Sequence, residues 1–374
     1  MQYVFWFSIF AVFHAYIGYP LSLKILSLIL YKQVSKKSIY PKITFLITVY
    51  NEEKKIVEKL ENTKLLDYPR EKLQILVASD GSTDKTNSLV RAYEQDGIQL
   101  LDFHERRGKE GAQHEAIKYA TGDIVLFSDV ATKIDTQGLN EIVANFADSE
   151  IGCVSSEDCL VTESGNVVGE GVYVRYEMWL RRLESRVGSV VGLSGSFFAA
   201  RYEVIDNFSA DMQSDFRTVL NCVDLSIRAV TEPLAKGYYL DVDGESKEYE
   251  RKIRTVLRGM TVFFRNVHFL NPLKYKLFAY QFFCHKFLIW LVPIFLFFIF
   301  LSNFAILFDH DIYILFILIQ IMFLVLAITA YIIPFNSKYL KILLYFCISN
   351  FAILVAWYHY FSGKRIVMWN PSKR

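Results

Sequence analysis

The chain has 374 residues, of which 53% are hydrophobic and 21% are charged, so it is more apolar and less charged than a typical soluble domain. Its 41 Lys and Arg residues nearly balance its 39 Asp and Glu residues, which excludes the basic field of a nucleic-acid-binding protein and, with the high hydrophobic content, a disordered chain. The five cysteines form no CxxC pair and no cluster with His, so neither a disulfide scaffold nor a zinc site is expected.

The chain begins with an apolar segment that we expect to anchor it in a membrane. Residues 1–23 contain no Asp, Glu, Arg or Lys, and the apolar character continues to Tyr31. The segment lacks the basic start and the small-residue cleavage site of a signal peptide. Lysines follow it at positions 32, 36, 37 and 42, so the positive-inside rule predicts that the next part of the chain is cytoplasmic. We therefore assign residues 1–31 to an N-terminal transmembrane anchor.

Residues 40–257 show the pattern of an α/β domain. Apolar strands are expected at residues 43–50, 73–78, 98–102 and 124–127, with helices between them. Asn51 is the expected N-cap of the first helix. Strand–helix alternation predicts a mostly parallel sheet with right-handed crossovers. Ligands of such sheets bind beyond the carboxyl ends of the strands.

Polar residues gather in the loops at that edge of the predicted sheet. Asp80 ends the second strand, where it could bind a ligand N–H or cap the next helix, a role that Asp84 could also fill. Asp129 ends the fourth strand and either coordinates a hard cation such as Mg²⁺ or only terminates the strand. A cationic loop that faces either phosphates or solvent consists of Arg106, Arg107 and Lys109. The sequence has no GxGxxG after the first strand and no GxxxxGK[ST] anywhere, so NAD and P-loop chemistry are not supported.

Seven motifs follow one another along the chain. They are YNEE from Tyr50, DGSTD from Asp80, RRGKEGAQHEAI from Arg106, TGDIVLFSDVAT from Thr121, GLSGSFFAAR from Gly192, SDF from Ser214 and ERKIRTVLRG from Glu250. In type and order they resemble the motifs of the family 2 glycosyltransferases, inverting enzymes of GT-A fold that use nucleotide-diphosphate sugars. The resemblance covers about residues 40–265. With its apolar flanks, the chain resembles the membrane-integrated branch that includes cellulose, hyaluronan and poly-N-acetylglucosamine synthases.

The resemblance implies a role for each matching residue. On the donor side, the residues implied are Thr48, Tyr50 and Glu52 for the base and ribose, Asp80 for a base N–H, Lys109 near the nucleotide, and Asp129 for Mg²⁺ or Mn²⁺ on the diphosphate. On the acceptor side, Asp215 would be the general base. The basic clamp on the leaving diphosphate would be Arg251, Lys252 and Arg254. A positioned base is needed because a sugar hydroxyl is a poor nucleophile.

Three positions depart from the family pattern. The second carboxylate of the DxD motif is replaced by Ala131, and the residue before the expected base is Ser214 instead of an acid. Thr255 stands where a Trp would follow the basic clamp. These departures leave a single carboxylate for the cation and weaken the analogy with processive polymerases.

The C-terminal part of the chain carries further apolar segments. Residues 258–286 mix aromatic, Lys and Arg residues in the way of helices that lie in the headgroup plane; packing against the soluble domain is the alternative. Uncharged runs at 287–308, 312–335 and 342–363 are each long enough to span a bilayer. We expect two or three spans within 287–363 and a basic tail at 364–374. Four crossings in total would place that tail outside, so either the tail violates the rule or one late segment is re-entrant or interfacial.

The sequence therefore predicts a multi-pass inner-membrane glycosyltransferase with a cytoplasmic catalytic domain. Its donor would be a nucleotide-diphosphate sugar, UDP-linked, and its acceptor a glycan or polyprenyl-linked molecule in surface or exopolysaccharide biosynthesis. One alternative is the transfer of a single sugar to polyprenyl phosphate. A processive enzyme would need a glycan tunnel, for which so few helices call for a homo-oligomer or a partner subunit. An alternative of another class is an inactive nucleotide-binding scaffold, which Ala131 and Thr255 favour.

Overall fold

A computed structural model describes residues 1–161, 171–240, 245–333 and 337–365. The chain forms two compact units, the first made of Met1–Ile25 with Gly244–Arg365 and the second centred on Leu26–Asp243. The predicted boundary between residues 257 and 258 falls inside a helix of the first unit, Glu245–Arg265. From residue 366 onward, the predicted basic tail lies outside the described residues.

The second unit is built on an eight-stranded mixed sheet. Its strands are β1 Ile43–Val49, β2 Leu73–Asp80, β3 Ile98–Phe103, β4 Ile124–Asp129, β5 Lys133–Ile134, β6 Ile151–Val161, β7 Phe197–Arg201 and β8 Arg228–Leu240. Their order across the sheet is β3-β2-β1-β4-β7-β6-β8-β5. The first four are parallel, β7 is antiparallel to β4 and β6, and β8 is parallel to β6. The four predicted strands and the mostly parallel sheet are confirmed.

The core of this unit lies against the central strands. All seven residues of β1 are buried, as expected for a strand covered on both faces. Phe45 and Ile47 belong to the same cluster as Ile56 and Leu60 of the following helix. Burial of each such side chain contributes about 1.5–3 kcal/mol, so the sheet gives a rigid base for the loops at its edge.

Helices connect and cover the strands. After the N-terminal helices α1 Gln2–Phe13 and α2 Tyr19–Ile29, the second unit has α3 Ile56–Lys64, α4 Thr86–Arg91, α5 Lys109–Ile117, α6 Gly138–Ala144, α7 Gly171–Val187, α8 Tyr202–Ile205 and α9 Ser214–Asp224. The expected N-cap of α3 is wrong: the helix begins at Ile56, after Lys55. Asn51 instead has a positive φ of 49°, which Asn tolerates better than most residues, and its side chain serves a loop described below.

The first unit is a bundle of long apolar helices. Its C-terminal helices are α10 Glu245–Arg265, α11 Pro272–Tyr275, α12 Leu277–Phe282, α13 Ile289–Ala305, α14 Asp311–Ile332 and α15 Lys338–Phe361. Within the described ranges, four helical stretches are long and apolar enough to cross a membrane: Gln2–Ile29, Leu277–Ala305, Asp311–Ile332 and Ile342–Phe361. The second stretch begins inside the segment predicted to be interfacial. Helix α10 packs along α15, and the ring of Tyr249 stacks on that of Phe351 at 6.1 Å.

Candidate active site

The loops that follow β1 and β2 lock together through side-chain to backbone hydrogen bonds. Thr83 N donates to Asn51 Oδ1 at 2.8 Å, and Asn51 N donates to Ser82 Oγ at 3.1 Å. Glu53 N donates to Asp84 Oδ2 at 3.1 Å. The YNEE and DGSTD motifs are thus two halves of one rigid double loop.

Of the two aspartates that the sequence left open as caps, Asp84 is the one that binds the start of the next helix. Its Oδ1 accepts from Thr86 N, the first residue of α4, at 3.0 Å. Burial opposes ionisation of this carboxyl, but the hydrogen bonds from Thr86 and Glu53 hold its pKa below the ordinary value. Asp80 is therefore not needed as a cap.

Asp80 shapes the cationic loop. Its side chain is 1% exposed, with Oδ1 accepting from Arg107 N at 2.7 Å and Oδ2 from Gly108 N at 2.9 Å. Gly81 has a φ of 70°, and a Cβ there would lie 3.2 Å from Arg106 N, so glycine allows this close approach. Each carboxylate oxygen can accept more than one hydrogen bond, which leaves room for the predicted contact with a base N–H.

The two arginines of the loop point to different partners. The guanidinium of Arg106 lies 3.8 Å from the ring centroid of Tyr50, whereas Arg107 forms ion pairs with Glu105 and Glu115. Arg106 thus covers one face of an aromatic ring at the carboxyl end of β1. An aromatic ring and a guanidinium are the surfaces on which a nucleobase stacks.

Lys109 joins the first half of the sheet to the second. It begins α5 and is 8% exposed. Its Nζ donates to Asp129 Oδ1 at the end of β4 and, at 2.9 Å, to the carbonyl oxygen of Gly195. The side chain of Asp129 remains 29% exposed. Lys109 and Asp129, two residues predicted separately to belong to the site, are therefore in direct contact.

Asp215 also lies close to Gly195. It is in the first turn of α9, and its Oδ2 accepts from Gln213 Nε2 at 3.1 Å. A Cβ on Gly195 would lie 3.0 Å from Asp215 Oδ2, tighter than nearly all real contacts of a Cβ. Lys109, which also contacts the predicted cation ligand Asp129, and the predicted base Asp215 thus both lie next to Gly195.

Thr48 and Glu52, two of the residues predicted to contact the base and the ribose, lie at the carboxyl end of β1 and just after it. Thr48 is paired in register with Ala78 on one side and Asp129 on the other. Its buried hydroxyl finds no hydrogen-bond partner in the described part of the chain, so a ligand is the natural partner. The side chain of Glu52 is 12% exposed, and its Oε2 lies 3.9 Å from Lys55 Nζ.

The predicted diphosphate clamp belongs to the first unit. Arg251, Lys252 and Arg254 lie on α10. Lys252 Nζ donates to Tyr345 Oη of α15 at 3.0 Å and lies 5.0 Å from its ring centroid. In its own unit, Lys252 therefore contacts the last candidate span.

The sequence did not predict which charged residues lie near Asp215. Arg181 of α7 lies near Asp215 and Asp158 and is 3.4 Å from Glu177. Burial opposes its charge, but these carboxylates raise its pKa above the ordinary value. Asp158 accepts from Ser194 Oγ at 2.5 Å and Ser196 Oγ at 2.9 Å. Asp158, a residue of β6, is thus anchored to the GLSGS motif.

Sequence reasoning also missed Lys59. This residue of α3 is 2% exposed, although a lysine is normally a surface residue. The signal was present, because Lys59 follows Ile56 by three residues and precedes Thr63 by four, which places it on the inward face of the helix.

Comparison with known proteins agrees with this geometry. Residues 44–209 match the family model described as Glycosyl transferase family 2. The poly-beta-1,6-N-acetyl-D-glucosamine synthase of Staphylococcus aureus (strain COL) is 27% identical over 249 residues, and that of Staphylococcus epidermidis is 24% identical over 245 residues. Both matches cover 63% of this chain and 58% of the relative, so the chain spans less than two thirds of the length of these relatives.

A solved structure shares the fold over nearly the whole chain. It is the mannosyltransferase PcManGT from Pyrobaculum calidifontis, solved in complex with GDP-Man and Mn²⁺. The superposition has a TM-score of 0.75 and covers 97% of this chain and 99% of the other, at 22% sequence identity. At that identity the likeness concerns the fold alone. Residues 44–209 are therefore a glycosyl transferase family 2 domain of GT-A fold, in a chain whose described residues include four helices long and apolar enough to cross a membrane.

Proposed function

We propose that the chain is an inverting, metal-dependent glycosyltransferase that transfers a sugar from a UDP-sugar to a glycan acceptor in exopolysaccharide biosynthesis. The observation that carries the proposal is the arrangement around Gly195. Lys109 binds its carbonyl oxygen and Asp129, and Asp215 approaches its Cα. A donor diphosphate and an acceptor hydroxyl could therefore meet beside one peptide.

The donor would bind along the carboxyl ends of β1, β2 and β4. Thr48, Tyr50, Glu52 and Asp80 would contact the base and the ribose, with Arg106 stacked on Tyr50. The unpartnered hydroxyl of Thr48, in register with Asp129, supports this placement. Lys109 would approach the diphosphate, because its ammonium group is already directed to the Asp129 end of this edge.

The residues present fit a divalent cation that is shared with the donor. Among the described residues, no three His, Cys, Asp or Glu side chains form a metal-binding group. Asp129 nevertheless offers a partly exposed carboxylate whose Oδ2 accepts no hydrogen bond from any described residue. Mg²⁺ and Mn²⁺ favour such oxygen ligands, and Mg²⁺ is commonly held by one or two carboxylates together with substrate phosphates. When bound, the cation would neutralise charge on the leaving diphosphate.

Asp215 would take the proton from the acceptor hydroxyl during a single displacement at the anomeric carbon. General-base assistance is worth about 10²–10⁴ in rate. The leaving nucleoside diphosphate gains negative charge, which Lys109 would offset. Arg251, Lys252 and Arg254 of α10 are the proposed clamp on the same group, on the strength of the ERKIR motif.

The acceptor would arrive at the membrane. The lysines after the first candidate span favour a cytoplasmic catalytic domain in a multi-pass inner-membrane protein. Transfer of one sugar to polyprenyl phosphate is the second candidate, favoured by the small number of candidate spans, which leaves little protein to enclose a growing glycan. A polymerase of this size would need a second copy or a partner subunit.

A donor screen tests the proposal. The full chain in lipid nanodiscs is incubated with Mn²⁺ or Mg²⁺ and with UDP- and GDP-sugars, and free nucleoside diphosphate is measured. We expect release from a UDP-sugar that stops when EDTA is added. Mass analysis of the product then separates a ladder of glycans from a single lipid-linked sugar. Binding of UDP and Mn²⁺ without turnover of any donor would instead support an inactive scaffold.

A further inference from the structure

A buried lysine, Lys59, forms hydrogen bonds with the segment that carries Asp129. Residues 129–132 form a turn closed by Thr132 N, which donates to Asp129 O at 3.2 Å. Lys59 Nζ donates to Ser128 Oγ at 2.7 Å and to Thr132 O at 2.6 Å. Its two acceptors therefore lie immediately before and three residues after Asp129.

The environment of Lys59 shows that these bonds are specific. The ammonium group lies 5.4 Å from the ring centroid of Phe45, in the apolar layer between α3 and the sheet. Burial lowers the pKa of Lys59 to about 7, while the nearby charge of Asp129 acts in the opposite direction. An apolar side chain would fill this space without the cost of burying an amine, but it would leave Thr132 O without this donor.

The same helix binds the chain just after the turn. Asn62 Nδ2 donates to Ile134 O and Asn62 Oδ1 accepts from Ile134 N, both at 2.9 Å. Asn62 thus holds strand β5, whereas Lys59 holds the turn itself. Helix α3 therefore binds this part of the chain through two side chains. The acceptors of Lys59 lie on both sides of Asp129 in the sequence, whereas both partners of Asn62 lie after it.

We propose that Lys59 is a positioning residue that fixes the 128–132 turn so that Asp129 presents its free oxygen to the cation on the donor diphosphate. This inference rests on the proposed function. Ala131 leaves Asp129 as the single carboxylate of the motif, so its orientation depends on the support of the turn. Partners of metal ligands typically affect metal affinity about 10- to 100-fold.

Direct cation binding tests the inference. The Mn²⁺ concentration that half-saturates the UDP-bound full chain is measured by electron paramagnetic resonance, and UDP affinity is measured separately in EDTA. For Lys59→Met we expect the half-saturating Mn²⁺ concentration to rise about tenfold or more, with UDP affinity in EDTA changed less than about twofold. Lys59→Arg keeps donors and should recover part of the loss. Ser128→Ala, which removes one acceptor and keeps the lysine, should give a smaller rise and serves if Lys59→Met does not fold.

Asn62→Leu is the matched control, because it removes two hydrogen bonds from the same helix without touching the turn around Asp129. It should lower the melting temperature and leave the half-saturating Mn²⁺ concentration unchanged. The inference is overturned if Lys59→Met binds Mn²⁺ like the wild type, if Asn62→Leu weakens Mn²⁺ binding equally, or if UDP binding by the wild type does not depend on a cation. The readout requires no turnover, so failure of every donor would contradict the proposed function and leave the cation result to decide the role of Lys59.

Discussion

The two halves of the sheet hold their functional carboxylates in different ways. In the parallel half, β3-β2-β1-β4, Asp80 accepts hydrogen bonds from two backbone N–H groups, and the loops after β1 and β2 bind each other. In the mixed half, Asp215 and Asp158 are held by side chains, namely Gln213, Ser194 and Ser196. Asp129, at the end of β4, is held by the side chain of Lys109, so the contrast concerns Asp80. The proposed nucleotide loop is preformed by backbone hydrogen bonds to Asp80, whereas the proposed acceptor carboxylates depend on neighbouring side chains.

The largest expected effect is on the mixed half. Asp215→Asn keeps the shape of the side chain and removes the proposed base, so the rate of nucleotide release in the presence of acceptor should fall about 10²- to 10⁴-fold. UDP affinity should stay within about twofold, because the donor residues lie on the other half. Asp224→Asn, at the exposed end of the same helix, is the control. If the Asp215 variant released nucleotide at the wild-type rate, Asp215 would not be the general base.

A smaller effect is expected from Asp80→Asn in the parallel half. The amide has one acceptor oxygen for two backbone N–H groups, and a hydrogen bond to a charged group is worth about 1.5–3 kcal/mol. The loop from Arg106 to Gly108 should loosen, and the dissociation constant of UDP should rise about tenfold or more. Asp102→Asn, at the end of the neighbouring strand and bound to Arg91, should leave UDP binding unchanged. Calorimetric titration with UDP measures the dissociation constants of both variants. Equal increases for Asp80→Asn and Asp102→Asn would contradict the proposed role of Asp80 in shaping the nucleotide loop.

Arg106→Ala should weaken UDP binding by less than Asp80→Asn does. The guanidinium of Arg106 orders the Tyr50 ring before a nucleotide binds, and such a contact contributes about 0.5–2 kcal/mol. Loss of this ordering should raise the dissociation constant of UDP by at most about 30-fold. Arg107→Ala is the matched control, since its side chain pairs with Glu105 and Glu115 on the surface. The same titration checks both variants. If Arg107→Ala weakened UDP binding more than Arg106→Ala, then Arg107, and not Arg106, would be the arginine at the nucleotide.

The smallest effect concerns Lys59, beneath the boundary of the two halves. The pKa of Lys59 in the folded chain is about 7, below its ordinary value of 10.5. Between these values the unfolded chain binds more protons than the folded chain, so this residue makes folding more favourable as pH rises. From pH 6.5 to 7.5 the free energy of unfolding of the wild type should rise relative to that of Lys59→Met, by about 1 kcal/mol or less. Thermal unfolding of both proteins across this range measures it, and a difference that is constant or falls with pH would contradict the lowered pKa.

The sequence predicted the parallel half well for a physical reason. Alternation of apolar strands and helices sets the direction of each strand, and the direction places Asp80 and Asp129 at one edge. It did not predict the true start of α3, because Asn51 takes a left-handed backbone conformation that spacing does not reveal. The role of Gly195 was also hidden, since a glycine shows its value only when the atoms that its missing Cβ would meet are known.

The candidate spans show the same limit. Uncharged runs located three C-terminal segments, but the helix of the first begins at Leu277, before Lys286. A lysine near the end of a span can extend its ammonium group to the interface, so a charge does not mark the end of a helix. Lys59 escaped notice for a related reason: helical spacing placed it inward, whereas residue type alone assigns a lysine to the surface.

The configuration of the product tests the central claim most directly. The full chain in nanodiscs is given the α-linked UDP-sugar from which it releases UDP in the donor screen, together with Mn²⁺ and an acceptor glycan. The account predicts release of UDP and a product whose new bond is β by proton nuclear magnetic resonance, because Asp215 activates the acceptor for one displacement opposite the leaving diphosphate. An α-linked product would contradict that mechanism.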